Sequence, residues 1–166
     1  MPKIRMHILS KSEAKEVASM ISKNFRFKVP LDHKSKWEII ELGGELVYLV
    51  NGMPMVIESS GKLVPFLKAL IDGLIELPKI IVDMGAVKHI VNGADVMVPG
   101  IVKIEGDFNK EDLVVVVDER YSKPLCVGIA LLSKTEIASL SKGKVVKNIH
   151  YVGDKIWKAI KDLGLI

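Results

Sequence analysis

The 166-residue sequence predicts an α+β protein: a small N-terminal α+β domain over 1–76, a mixed β-barrel with short inserted helices over 77–154, and a helical tail over 155–166. Three observations predict it. Short β-prone runs between Trp37 and Glu58 are separated by Gly43-Gly44 and Asn51-Gly52, pairs that supply the positive φ of tight hairpin turns. Helical spacing of apolar residues occurs in short stretches, two of them opened by a Ser-x-x-Glu capping box. From Leu77 onward, six or so short strands carry two helices of one to three turns, which suits a small barrel rather than a parallel α/β sheet.

The elements follow in order. Ile4 to Leu9 alternates apolar with polar residues and reads as a strand. Ser10 and Glu13 form a capping box, and Ala14, Val17, Ala18 and Ile21 continue at helical spacing, which predicts a helix over 11–23. Asn24 to Lys36 is basic, with Arg26, Lys28, His33, Lys34 and Lys36 around Phe25 and Phe27. Two readings stay open: a segment that grips nucleic acid by charge and stacking, or a connector whose aromatics pack inward. Three strands, 37–42, 45–50 and 53–58, then form a meander, and Ser59-Ser60-Gly61 ends it. A helix over 62–73 is expected next, burying Leu63, Phe66, Leu67, Leu70 and Ile71, with Pro65 in its first turn and Gly73 at its C-terminal cap.

In the second part, Lys79 to Asp83 is a strand, 85–91 a short helix stopped by Asn92-Gly93, and Asp95 to Val98 a strand closed by the Pro99-Gly100 turn. Ile101 to Ile104 and Leu113 to Asp118 are further strands, and the four valines of the latter mark it as buried on both faces. Pro124 to Leu132 is a strand, Ser133 with Glu136 opens a short helix, and 144–152 is the closing strand.

Composition bounds the class. With 49% hydrophobic and 27% charged residues the chain can bury a core, and with 5% aromatics that core is aliphatic. The longest uncharged stretch, Leu46 to Ile57, is too short for a membrane span of about 20 residues. Met1 to Lys15 lacks the apolar region of a secretion signal, so a cytoplasmic protein is expected. The single cysteine, Cys126, sits in an apolar run and reads as a buried small hydrophobe.

Charge is unevenly spread around the net +4: residues 1–36 carry +6, 37–76 carry −4, 77–140 carry −2 and 141–166 carry +4. Basic ends suit an anionic partner, although lysines on solvated helices give the same pattern. Catalytic signatures are missing. There is no glycine-rich nucleotide loop after a strand and no cysteine pair, and the four histidines (7, 33, 89, 150) are scattered, so no catalytic residue, metal ligand or cofactor is expected and the chain reads as non-enzymatic.

One run is specific. Val82-Asp83-Met84-Gly85-Ala86-Val87, then Val91-Asn92-Gly93-Ala94-Asp95-Val96-Met97-Val98-Pro99-Gly100-Ile101, resembles the signature of the PUA domain, an RNA-binding pseudobarrel. Gly143-Lys144-Val145-Val146 and His150-Tyr151-Val152-Gly153-Asp154 resemble its closing strand. The resemblance implies an RNA-facing surface made by Lys88, His89, Asn92, Gly93, Ala94, Asp95 and Met97, flanked by Lys144, Lys147 and His150. Physically, a helix of barely two turns between Gly85 and Gly93 would leave N–H groups free at its start and let an RNA backbone approach at Gly93. For Asp95 a turn cap is the competing reading, for His150 a structural hydrogen bond inside the barrel, and for the glycines a purely architectural role.

The whole plan, a small α+β front domain followed by PUA and little else, resembles the MCT family (multiple copies in T-cell malignancies) and its short archaeal relatives. That resemblance implies binding of tRNA or rRNA on the small ribosomal subunit at initiation or recycling, and a protein partner on the N-terminal domain. The lysine-rich composition with one cysteine suits an archaeal source. The alternative is an RNA-targeting accessory subunit of a tRNA or rRNA modification enzyme, since PUA modules often ride on such enzymes.

Overall fold

The computed structural model describes residues 3–28 and 31–166. The chain divides into two units, one running up to Glu76 and including Ala159–Ile166, the other Leu77–Lys158.

The first unit opens with β1 (Ile4–Ile8) and α1 (Lys11–Asn24). The Ser10 side chain accepts from the Glu13 N–H and the Glu13 carboxylate from the Ser10 N–H, so the capping box starts this helix where its sequence implies. Ala14, Ala18 and Ile21 form its buried stripe. A short ribbon pairs β2 (Arg26–Phe27) with a segment fifty residues on. Phe25 is buried, so it packs inward rather than presenting a stacking surface; of the basic connector, Val29 and Pro30 lie outside the described residues.

The meander is β3 (Trp37–Leu42), β4 (Glu45–Val50) and β5 (Met53–Ser59), and it continues into a strand that departs from the expected helix. Lys62–Pro65 is β6, paired antiparallel with β5 from Ser59↔Lys62 to Val56↔Pro65. Ser60 (φ 50°) and Gly61 (φ 76°) both adopt left-handed backbone, so Ser60-Gly61 is a third hairpin turn rather than an interruption. Pro65 ends this edge strand, where a missing N–H is tolerated. Helix α2 is confined to Leu67–Ile71. Gly73 closes it: its N–H donates to Leu70 O and that of Leu74 to Ala69 O, the paired bonds of a Schellman end. Then β7 (Ile75–Glu76) pairs with β2.

The second unit holds β8 (Lys79–Val82), α3 (Met84–Ile90), β9 (Val96–Met97), a one-turn 3₁₀ helix at Val98–Gly100, β10 (Ile101–Glu105), β11 (Leu113–Asp118), β12 (Pro124–Ala130), α4 (Lys134–Ala138) and β13 (Lys144–Tyr151). Helix α5 (Lys155–Asp162) follows, with Lys155–Lys158 in this unit and the rest of the helix in the first. The six strands form one curled half-barrel sheet in the order β10-β8-β11-β12-β13-β9, with β8 and β11 parallel and the other pairs antiparallel. Val114 to Val117 of the central β11 are all buried, as a strand covered on both faces requires. They pack with Ile80, Val82, Ile90 and Cys126 into an aliphatic core. Burial pushes the Cys126 thiol far up, and it is an inert core residue.

A bulge shapes the sheet near its functional edge. Between β12 and β13 the register passes from Val127↔His150 to Gly128↔Asn148, so Ile149 is extra. Here the strands approach too closely for a side chain. A Cβ on Gly128 would lie 2.3 Å from Val146 Cγ1 and 2.9 Å from Lys147 O. Gly128→Ala is expected to destabilise the protein by about 1–3 kcal/mol through overpacking, whereas Gly44→Ala, where the added Cβ meets nothing within 4 Å, is near neutral. Chemical denaturation of the two variants checks the contrast.

Candidate nucleic-acid interface

The expected surface is built on α3, the turn after it and the two strands beside it. Asp83 caps α3 by accepting from the Ala86 N–H at 2.9 Å. The Met84 N–H donates to Glu119 Oε1 at 3.4 Å. The helix start is therefore held by two carboxylates rather than left free for a phosphate, which corrects the expectation drawn from its shortness. The opposite end is the open one. Lys88, His89 and Asn92 are exposed there, and the Asn92 Nδ2 donates back to Lys88 O at 2.8 Å.

Gly93 ends α3 at φ 95°, with its N–H on Ile90 O and the Ala94 N–H on His89 O. The space that its missing side chain leaves is taken by Tyr151, whose ring carbon Cε1 would stand 3.1 Å from a Cβ. Gly93 thus serves helix termination and the seating of Tyr151, not a close approach of RNA backbone. Its place in the motif is architectural.

One residue that sequence reasoning passed over joins these parts. Asn148, at the β13 bulge, donates from Nδ2 to Ile90 O at 2.9 Å and to Ala94 O at 3.1 Å, and its N–H donates to Asp95 Oδ1 at 2.8 Å. Asp95 also pairs with Lys144 Nζ at 3.0 Å. Its half-burial pushes its pKa up, but the Asn148 N–H, the Lys144 contact and the nearby Lys147 charge outweigh this and hold it below the usual carboxylate range. Asp95 is a clamp between the turn and β13. The only hint in the sequence was an asparagine amid a strand, a residue type depleted from strand interiors.

A cleft of about 400 Å³ opens beside this clamp. His89, Ala94, Asp95 and Met97 of the expected residues line it, joined by Asp83, Ala86, Ile90, Val96, Pro99 and Gly100. Its wall is mostly apolar, and Met97, 47% exposed, stands at its rim. Lys144, opposite Met97 in the β13–β9 register, and Lys147 are exposed on the adjoining strand. The arrangement is an apolar slot edged by cations, fit for a flat ring with an anionic backbone beside it.

His150 is the one expected contact that the structure withdraws from the surface. It is 1% exposed, and Asp154 Oδ2 accepts from its Nδ1 at 2.7 Å. The reading of His150 as an internal hydrogen-bonder holds, and its place on the RNA-facing list is corrected.

Family models agree with this geometry in extent. The PUA domain matches residues 78–152, and Domain of unknown function (DUF1947) matches residues 5–72. An uncharacterized protein of Methanocaldococcus jannaschii is 40% identical over 92% of this chain and 95% of its own length. Translation machinery-associated protein 20 of Saccharomyces cerevisiae is 30% identical over 75% of this chain and 72% of its own. The chain belongs to the PUA-domain family of translation machinery-associated protein 20 and the malignant T-cell-amplified sequence proteins.

The solved structure of a hypothetical protein from Pyrococcus horikoshii superposes on this family member with a TM-score of 0.78 at 36% identity, covering 93% of this chain and 99% of that one. The PUA match ends at Val152, just before Asp154. That aspartate closes the domain: besides His150, it accepts from the Tyr151 N–H at 3.0 Å and from the Trp157 N–H at 2.8 Å. Burial raises its pKa, but the His150 hydrogen bond and charge, with the two N–H groups, lower it further than burial raises it.

A carboxyl depressed in the folded state stabilises fully above its unfolded pKa of about 3.9 and loses that contribution as pH falls through the lower folded value. Asp154→Asn should therefore be less stable than wild type at neutral pH, and the gap should close as the pH drops below about 4. Denaturation midpoints at both pH values test this, and a gap unchanged by acid contradicts it.

Proposed function

We propose that this chain is a non-catalytic, cytoplasmic RNA-binding protein of translation, which holds tRNA or rRNA on the small ribosomal subunit during initiation or recycling. The observation that carries the proposal is the apolar cleft bounded by His89, Ala94 and Met97, with Lys88, Lys144 and Lys147 exposed around it. Such a slot suits an unstacked base, and the lysines suit the phosphates on either side of it. Membership in a family that includes translation machinery-associated protein 20 supports the setting. Among the described residues no helix is long and apolar enough to cross a membrane, and no cluster of three or more His, Cys, Asp or Glu side chains is spaced to hold a metal.

The second unit is mildly acidic outside this surface, so its grip is local. Basic character in the first 36 residues (+6) is available to extend it. We assign a protein partner to the first unit as well. On the edge strand β1, Ile4, Met6 and Ile8 share one face and are 44%, 48% and 63% exposed, an apolar stripe suited to a docking protein.

Lys88→Glu with Lys147→Glu is expected to weaken tRNA binding by roughly tenfold or more and to flatten the salt dependence by about one unit of slope per lost phosphate contact. Fluorescence anisotropy over a salt series checks both quantities. Co-sedimentation with small ribosomal subunits separates the translation role from that of an accessory subunit of a modification enzyme: binding to free tRNA with no binding to subunits favours the latter.

A further inference from the structure

The turn between β11 and β12 carries a feature that the cleft does not use. Tyr121 is 72% exposed, the highest value among the large hydrophobic side chains described, and its neighbours Arg120 and Lys123 are exposed too. An aromatic ring left in water at the tip of a turn has a cost that packing elsewhere would remove, and two adjacent cations make the tip attractive to an anion.

The turn is also rigidly built. Asp118, 3% exposed, accepts from the backbone N–H groups of Arg120, Tyr121 and Lys123, and Ser122 completes the bend at φ 53°. Burial raises the Asp118 pKa, yet the three N–H groups and its own hold it below the usual range, so the carboxylate stays charged and the bonds stay strong at neutral pH. A preformed tip loses little conformational entropy when a ligand meets it.

Its position ties it to the proposed interface. Strands β8 and β11 run parallel, with Asp118 beside Val82, so the ends that lead into α3 and into this turn are neighbours. The Glu119 N–H donates to Val82 O at 2.9 Å and its carboxylate accepts from the Met84 N–H, one residue past Asp83 of the cleft wall. An RNA strand leaving the cleft over Asp83 passes two carboxylates that repel phosphate, so it crosses with its bases toward the protein. Tyr121 then offers a face to one of them, and Arg120 and Lys123 meet the phosphates beyond.

We propose that the Arg120-Tyr121-Ser122-Lys123 tip is a second RNA contact, a stacking platform for one unpaired base flanked by two phosphate-binding cations. This rests on the RNA-binding reading given above. Stacking on an aromatic ring is tolerant of base identity, so the tip would add affinity and register without sequence preference.

The test uses the full chain and a labelled single-stranded RNA oligonucleotide carrying 2-aminopurine. Tyr121→Ala is expected to lower affinity about tenfold and to abolish the quenching of the probe that stacking produces, whereas Tyr121→Phe keeps both, because the ring and not the hydroxyl is needed. Arg120→Ala with Lys123→Ala should lower the salt slope by about two units. The Lys88→Glu/Lys147→Glu variant is measured alongside. If that variant loses binding and Tyr121→Ala binds and quenches as wild type does, the tip proposal is overturned and the cleft stands. If the wild-type chain binds no RNA, both fall.

Discussion

Asn148 stands where the β12–β13 ladder slips by one residue, and its three donated hydrogen bonds reach Ile90, Ala94 and Asp95. Each of those acceptors belongs to a different part of the motif: the last turn of α3, the glycine turn, and the entry to β9. Without the bulge the amide would point along the ladder, and without the amide the turn would have no tether to the sheet. The cleft exists because this side chain holds α3 and β9 apart at one end while Gly100, whose O accepts from the Asp83 N–H, holds them at the other. Gly128 is part of the same constraint, since it alone lets β12 lie close enough to the slipped strand.

That constraint sorts the motif into scaffold and surface. Asp95, Gly93 and His150 carry the polar or conformational peculiarities that draw attention in a sequence, yet each is committed to architecture: Asp95 to Asn148 and Lys144, Gly93 to the helix end and Tyr151, His150 to Asp154. What faces outward is plainer: two lysines on β13, a lysine and a histidine late on α3, and the alanine and methionine that line a slot between them. The division follows from desolvation. A buried polar group must be satisfied within the protein, so the most distinctive side chains are absorbed by the fold, and ligand contact falls to residues that water can reach.

Much of this was legible in the residues. Hairpin pairs at 43–44 and 51–52, the two capping boxes and the four-valine strand each express a local rule strong enough to survive tertiary context. The expected helix over 62–73 failed for an equally local reason: Ser60-Gly61 is a turn of the same hand as Asn51-Gly52, but serine is a less obvious carrier of positive φ. Asn148 and Glu119 were not legible, because each acts across more than thirty residues of chain and neither has a local pattern. The same holds for the closed start of α3. A helix of seven residues implies free N–H groups until a distant loop is seen to supply their acceptor.

The account turns on whether RNA meets the second unit at the cleft and its lysine rim. Titrating tRNA into uniformly nitrogen-labelled protein and following backbone amide chemical shifts tests this most directly. Shifts that concentrate at Lys88–Met97 and Lys144–Asn148, with the β12 interior unmoved, are the result predicted. Shifts confined to the basic stretch before Lys36, with the cleft silent, would contradict it.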